Sequence, residues 1–527
     1  MPQHELTGHA AAPGIAAGVL VELAESRAAA RQAGSPAEER AALEAAIAAA
    51  LTDLAALAAT ADGDGAGMLE FQTAMLEDEA LREPALEAIA AGAPADIAWA
   101  ESLAAQTAEY EAAEDDYFRA RASDLHDLAG RVARHLRGET EAALPPGCVV
   151  LADDLTPSRF LATNWAGGGI ALRAGSKASH VAMLARARGV PMVVGLAGAK
   201  ADGHTAAALD GGAGVLWLSP DPATLTRLNG VRASAAQAAA DAAGLLYLPA
   251  RTATGRRIAT HINVADPAEL DGLDPGMCDG IGLTRTELLF PASGGLPDED
   301  RQYAVYRRIV EWAQGRPVTI RTLDAGGDKP IAGLTVDGES NPFLGLRGVR
   351  LSLSRPEIFS VQLRALARAA VHGALKIMVP MITVPAELEA TRALLVQAVA
   401  DLTAAGIPAV APPLGMMVEV PAAALAPEQF DAAFYSIGSN DLTQYVTASA
   451  RDIGSVASLA DARNPGVLRL IAEVAAYGKR AGREVSLCGD AAGDPALTGA
   501  LLTCGLESLS MAPNALPLVK AAIARHR

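Results

Sequence analysis

The sequence predicts a multidomain α/β protein, and three observations carry that expectation. At 527 residues the chain is long enough for about three ordinary domains. Residues 22 to 138 run in long Ala, Leu, Glu and Arg stretches with few breakers, the composition of a helical bundle. On either side of that stretch, and through the second half, short apolar runs alternate with turns and helical segments.

Composition narrows the class further. Hydrophobic residues make up 51% of the chain but aromatics only 4%, so alanine carries much of the count and the surplus marks helices. No apolar run of the ~20 residues a membrane span needs is free of Gly, Pro or charge. The opening MPQHELTGHAAAPGIAAG lacks the basic start of a signal peptide, so a cytoplasmic location is expected, without membrane insertion. A net charge of -18 argues against nucleic acid and anionic membranes as partners and favours a basic protein. Four cysteines, Cys148, Cys278, Cys488 and Cys504, lie far apart without a CxxC pair, which indicates neither a disulfide framework nor a zinc site.

Taken in order, residues 8 to 21 read GHAAAPGIAAGVLV, a Pro-Gly turn running into a short apolar strand. In the helical stretch, Glu77, Asp78, Glu111, Glu114, Asp115 and Asp116 can together meet a basic patch, although single charges of this kind are more often solvated helix faces. From Pro145 the pattern reverts to apolar runs at 148–152 and 169–172, followed by AGSKASHVAMLARARGVPMVVG at 174–195. There Ser179 is a good N-cap, His180 falls in the first helical turn ahead of Val181, Leu184 and Ala187, and Pro191 is expected to close the helix before an apolar strand. A helix start offers free N–H groups and the positive end of the macrodipole, so an imidazole there can carry a phosphoryl group whose oxygens are held. A lone histidine is more often structural. Residues 221 to about 245 read as an Ala-rich connecting helix with a break near Asn229-Gly230, and a hinge there would let one domain carry His180 between two distant sites.

The second half shows strand-like runs at 257–259, 280–283, 317–321, 376–380, 414–419, 433–437 and 484–488. Polar or reactive residues end these runs, which is where a (β/α)8 barrel builds its site. Periodicity alone leaves an open doubly wound sheet possible.

The His180 segment is similar to the phosphohistidine signature, roughly G-G-x-T-S-H-x-A-I-x-A-R-x-x-x-x-P-x-V-V-G, of three related enzymes. These are enzyme I of the phosphoenolpyruvate-dependent sugar phosphotransferase system, pyruvate phosphate dikinase and phosphoenolpyruvate synthase. Ala174 stands at the first Gly of that signature and Ala178 at its Thr. Residues 153–158 resemble the family's E-D-L-T-P-S, residues 280–287 its G-I-G-L-x-R-T-E, and Arg321-Thr322-Leu323-Asp324 with Gly327-Asp328-Lys329 its R-T-L-D-x-G-x-D-K. Residues 341–347 resemble N-P-x-L-G-x-R, and Cys488-Gly489-Asp490 resembles C-G-E. Dikinase and synthase carry a large nucleotide-binding domain for which this chain has no room, so the resemblance is to the enzyme I family, over nearly the whole chain.

That resemblance implies a phosphohistidine swivel α/β domain at 1–21 and 143–220, interrupted by a helical bundle at 22–142 that docks the phosphocarrier protein HPr. It implies a linker helix at 221–250 and, in place of an open sheet, a phosphoenolpyruvate-binding (β/α)8 TIM-type barrel at 251–527. The implied reaction moves the phosphoryl group of phosphoenolpyruvate to His180 and then to a histidine of HPr, releasing pyruvate, as the first step of sugar transport. Phosphoenolpyruvate brings a phosphate, a carboxylate and a vinyl carbon, so its site needs cations for the first two and an acid for the third. Guanidinium forks suit Arg285 and Arg321 to the phosphoryl group, with Arg347 and Lys329 behind them. Glu419 and Asp441 match the family's Mg2+ carboxylates, Asn440 its substrate hydrogen bond and Arg451 its D-R arginine, here preceded by Ala450. Cys488 matches the thiol that protonates the enolate carbon, and a thiol with an ordinary pKa near ~8.5 is a credible donor. The other cysteines read as small buried hydrophobes. A homodimer through the barrel is implied as well.

Two other readings fit parts of the sequence. One is a catalytically weakened regulatory homologue that senses phosphoenolpyruvate or docks a carrier, supported by Ala178, Ala450 and Asp490. The other is a synthase-like phosphoenolpyruvate/pyruvate enzyme, which needs ATP, and the chain has no G-x-x-x-x-G-K-[ST] motif. In the bundle, Gln72 stands where the enzyme I family commonly has His.

Overall fold

A computed structural model describes residues 2–23, 33–59, 64–112, 116–139, 143–175, 179–290, 296–327, 329, 331, 333–336, 338–450, 456 and 459–527. The chain divides into two compact units, residues 1–235 and 236–527.

In the first unit, two stretches of chain distant in sequence share one sheet. The strands are β1 (His4–Thr7), β2 (His9–Ala12), β3 (Ile15–Glu22), β4 (Val149–Ala152), β5 (Gly169–Leu172), β6 (Met192–Val194), β7 (Ala206–Asp210) and β8 (Val215–Leu218). Their order is β1-β8-β7-β3-β4-β5-β6-β2. β3 joins the halves, pairing parallel with β4 and antiparallel with β7. The buried runs Val149-Val150-Leu151-Ala152 and Ile170-Ala171-Leu172 are covered on both faces, which explains why they read as continuous apolar stretches.

Between β3 and β4 the chain forms a bundle of α1 (Pro36–Ala58), α2 (Asp64–Glu77), α3 (Glu79–Ala90), α4 (Ala95–Ala112) and α5 (Asp116–Arg137). A capping box of Ser35 and Glu38 starts α1, and the Asp78 carboxylate caps α3. Leu43, Ile47, Leu54, Leu69, Leu76, Trp99, Leu103, Leu125 and Val132 form the bundle core. By length and composition α1 is the one helix among the described residues that is apolar enough to cross a membrane; here its apolar face packs into that core. Gln72 is inside the bundle as well, donating to Asp124 at 3.1 Å and Asp127 at 3.3 Å. It is therefore a core residue and not part of a docking face. Glu114 and Asp115 lie outside the described residues.

Three helices follow: α6 (Pro157–Ala162), α7 (His180–Ala187) and α8 (Pro222–Ala243). Two sequence expectations shift here. The helix begun at His180 ends at Ala187, ahead of Pro191, because the chain reverses at Gly189, where φ is +64°. The connecting helix α8 passes through Asn229-Gly230 without a break. A helix-interior Gly costs roughly 1 kcal/mol relative to Ala, too little to stop an otherwise Ala-rich run.

The second unit is a closed barrel of eight parallel strands, in place of the open sheet that periodicity alone allowed. They are β9 (Ala259–Val264), β10 (Ile281–Thr284), β11 (Val318–Arg321), β12 (Leu375–Val379), β13 (Leu414–Val418), β14 (Phe434–Gly438), β15 (Glu484–Cys488) and β16 (Ser508–Met511). β9 lies further along than the run at 257–259 suggests. β16 is not among the apolar runs, because Ser alternates with Leu and Met and the pattern lasts only four residues. Alternation sorts the side chains: Tyr435 and Ile437 pack in the large core between strands and helices. Leu283, Met378, Met417, Phe434 and Cys488 form a separate small cluster.

Candidate active site

The C-terminal strand ends of the second unit surround a cavity of about 290 Å³ lined by Arg285, Arg321, Lys329, Glu419, Asn440, Asp441 and Cys488, among others. Six of the eight sequence-derived site residues thus converge. Arg451 and Ala178 lie outside the described residues. His180 is the first residue of α7 in the other unit, behind Ser179, whose Oγ accepts the Ala182 N–H at 3.2 Å.

Arg321 closes β11 and is nearly fully buried. Its Nη2 donates to Glu287 at 2.9 Å, and its Nη1 lies 3.1 Å from Asp324. Asp324 is buried and also meets Lys329 at 3.0 Å and both Nε and Nη2 of Arg347 at 3.1 Å. Burial alone would raise the Asp324 pKa, but Arg321, Lys329 and Arg347 hold the carboxylate well below its usual range. Burial likewise works against the charge on Arg321, and Glu287 and Asp324 outweigh it. Arg347 is completely buried and spends its remaining nitrogen on Asp441 at 2.9 Å and the Tyr445 hydroxyl at 3.3 Å. It braces both acids from behind, while Lys329 reaches the cavity wall.

Glu419 follows β13. Its Oε1 accepts the Met381 N–H at 2.7 Å, and its Oε2 is buried without a hydrogen-bond partner. Met381 holds that N–H in place from a left-handed backbone with φ of +58°, a conformation a non-glycine residue adopts only when its surroundings impose it. Burial first, then the neighbouring Asp441 and Asp324, raise the Glu419 carboxyl to about 7. Arg321 and Arg347 oppose that rise, but neither donates to the free oxygen. With Asp441 beside it in the cavity wall, the donor set fits a hard divalent cation completed by ligand oxygens and water. Among the described residues no cluster of three or more His, Cys, Asp or Glu forms a metal cage. Three further buried polar atoms without partners, Thr284 Oγ1, Thr322 Oγ1 and Arg321 Nε, sit at the ends of β10 and β11. Orphaned groups gathered at one end of a barrel call for a polar ligand or water.

Cys488 closes β15. Its thiol accepts from Ser436 Oγ at 3.6 Å and donates to the Ile437 carbonyl at 3.6 Å. Burial raises its pKa to about 11, with the Ser436 hydrogen bond opposing, so the thiol is neutral at physiological pH. The next residue must be glycine: Gly489 has φ of +94°, and a Cβ there would lie 2.4 Å from Ser439 Oγ. Asp490 forms no bond to the thiol. It pairs with Asn440 in both directions, its carboxylate accepting from Nδ2 at 3.1 Å and its N–H donating to Oδ1 at 2.9 Å. Sequence reasoning did not assign roles to Ser436, Glu287 or Asp324. The last two stand within quoted motifs, and Ser436 opens the run SIGSNDLTQY that carries Asn440 and Asp441, where it is a polar residue inside an apolar strand.

Three family profiles match consecutive parts of the chain. They are described as PEP-utilising enzyme, N-terminal, over residues 7–121; PEP-utilising enzyme, mobile domain, over 144–214; and PEP-utilising enzyme, PEP-binding domain, over 239–527. Together with the barrel they define the class: phosphoenolpyruvate-utilising enzymes. The phosphoenolpyruvate-protein phosphotransferase of Geobacillus stearothermophilus is 37% identical over 91% of this chain and 85% of its own. The protein of that name from Bacillus sp. (strain S) is 38% identical over 77% of this chain and 72% of its own, and the multiphosphoryl transfer protein of Rhodobacter capsulatus 38% identical over 86% and 55%. The chain belongs to the phosphoenolpyruvate-protein phosphotransferase, or enzyme I, family.

Proposed function

We propose that the protein transfers the phosphoryl group of phosphoenolpyruvate to His180 and from there to a histidine of the phosphocarrier HPr, releasing pyruvate at the first step of sugar phosphotransferase transport. The observation that carries this reading is the convergence of Arg285, Arg321, Lys329, a cation-seeking Glu419 oxygen and a neutral Cys488 thiol on one cavity. Arg285 and Arg321 grip the phosphoryl oxygens, with Glu287 and Asp324 fixing the Arg321 fork so that it need not reorganise as charge shifts. Mg2+ held by Glu419 and Asp441 would neutralise charge on the departing enolate and its carboxylate. Asn440, oriented by Asp490, donates to the substrate. His180 takes the phosphoryl group in line, and the amides at the start of α7 receive its oxygens. Cys488 then delivers its proton to the enolate carbon. Arg451 remains a proposed substrate contact. We assign residues 1–21 and 143–220 as the His180 carrier, 22–142 as the HPr dock, 221–250 as the linker, and 251–527 as the substrate barrel through which the protein dimerises in the cytoplasm.

Incubation with labelled phosphoenolpyruvate and Mg2+ should place an acid-labile label on His180, absent from His180→Ala, that leaves on addition of HPr. A folded protein that takes up no label, or takes it elsewhere, rejects the assignment. A label at His180 that HPr cannot remove rejects the acceptor.

A further inference from the structure

Ser436 is buried on the inner face of β14, two residues from the strand end, and no step above uses it. Its hydroxyl lies 3.6 Å from Cys488 Sγ on the adjacent strand β15. The same sulfur is 3.6 Å from the carbonyl of Ile437, the residue following Ser436. A thiol has one hydrogen to give and weak lone pairs to receive one. The two contacts are therefore complementary: the S–H points to the carbonyl, and the serine O–H points to the sulfur.

We propose that Ser436 is a positioning residue for the proton-transfer half of the reaction, fixing the thiol rotamer and stabilising the sulfur as it becomes a thiolate. This rests on the reading of Cys488 as the acid. In the step itself the S–H bond breaks and its electron pair stays on sulfur. The enolate's electron pair takes the proton at C3, forming the methyl C–H bond while the C2–O bond becomes a carbonyl. Water entering through the cavity later restores the thiol. The serine O–H bond is intact throughout, so its contribution is a hydrogen bond strengthened as the acceptor gains charge. Burial disfavours the thiolate, and the serine bond opposes that cost. The other charged groups that act on the sulfur are Arg321 at the end of β11, Glu419 beyond β13 and Arg285 beyond β10.

The test separates transfer from protonation. In D2O, the (Z)-3-methyl analogue of phosphoenolpyruvate gives a 2-oxobutyrate with a stereocentre at C3, whose configuration reports whether a fixed acid or solvent delivered the deuteron. The parent protein should give one configuration. Ser436→Ala should label His180 at an unchanged rate, form the oxoacid about tenfold more slowly, the scale of a hydrogen bond to a charged group, and lose configuration in part. Ser436→Thr, which retains the hydroxyl, should restore both rate and configuration. Parent-like rate and configuration in a folded Ser436→Ala overturns the proposal, as does failure of Ser436→Thr to rescue. Cys488→Ala is the control on the underlying reading: full loss of configuration supports it, and retained configuration shows that another group is the acid, which is a separate failure.

Discussion

The protein buries two clusters of charged and polar side chains, one in each unit, and they solve the same problem differently. In the bundle, the Asp127 carboxylate accepts the Ser158 N–H at 3.2 Å and hydroxyl at 2.7 Å, and Gln72 bridges Asp127 to Asp124. The outcome is a clamp: a carboxylate on α5 holds α6 of the same unit. In the barrel, Asp324 gathers Arg321, Lys329 and Arg347, and Arg347 passes the connection on to Asp441. Each unit leaves buried atoms without a protein partner, Gln72 Oε1 and Arg131 Nε in the bundle and Glu419 Oε2 and Arg321 Nε in the barrel, but the barrel charges also border a cavity. Buried charge alone therefore does not mark a site. Buried charge that remains unsatisfied beside open volume does.

Substitutions can break that comparison. The largest effect should come from Arg347→Leu, which removes the guanidinium that bonds buried Asp324 and Asp441 together. Removing one partner of such a buried pair costs roughly 3–5 kcal/mol, so denaturant unfolding should lose that amount along with activity. A loss near zero would mean that Arg321 and Lys329 alone compensate the acids. Asp127→Ala should cost less, about 1–3 kcal/mol, because it leaves neutral donors unsatisfied instead of a charge. Hydrogen exchange should accelerate in α5 and α6 while barrel strands keep their protection. Acceleration in the barrel would show that the two clusters are not independent.

The smallest effect concerns pH. His261, on β9, is buried with Ser508 at 3.3 Å. Burial lowers its pKa, and Asp279 and Glu484 oppose that shift while Lys376 adds to it. Below about 6.5 the unfolded chain binds a proton here that the folded one does not, so stability falls as pH drops through about 6.5 toward the lowered folded value. Above that window His261 contributes no pH dependence. His261→Gln should flatten this part of the unfolding profile, and an unchanged slope would assign it to other groups.

Much of the candidate site was legible because its residues stand in motifs that resemble those of the enzyme I family. Arg285, Arg321, Glu419, Asp441 and Cys488 each follow an apolar run, and the barrel brings those ends together. The role of Ser436 was not, because one serine inside Phe434-Tyr435-Ser436-Ile437 has no spacing signal of its own; its meaning comes from the neighbouring strand. From the sequence Arg347 is a secondary contact, and its full burial between two acids is visible only in three dimensions.

The sequence by itself determined the order of the parts, the cap that starts α7 at His180 and the kinds of side chain available for phosphoryl and proton transfer. The cap follows from chemistry that acts over a few residues, and the order of parts and the reactive side chains from motifs that resemble the enzyme I family. Tertiary structure alone decided that β3 and β4, separated by the whole bundle, lie side by side, and that β9 and β16 close the barrel. It also decided which acid each arginine serves. Such pairings depend on strand register and on burial, which sets how strongly a charge needs its partner, and neither is written in any short stretch of chain.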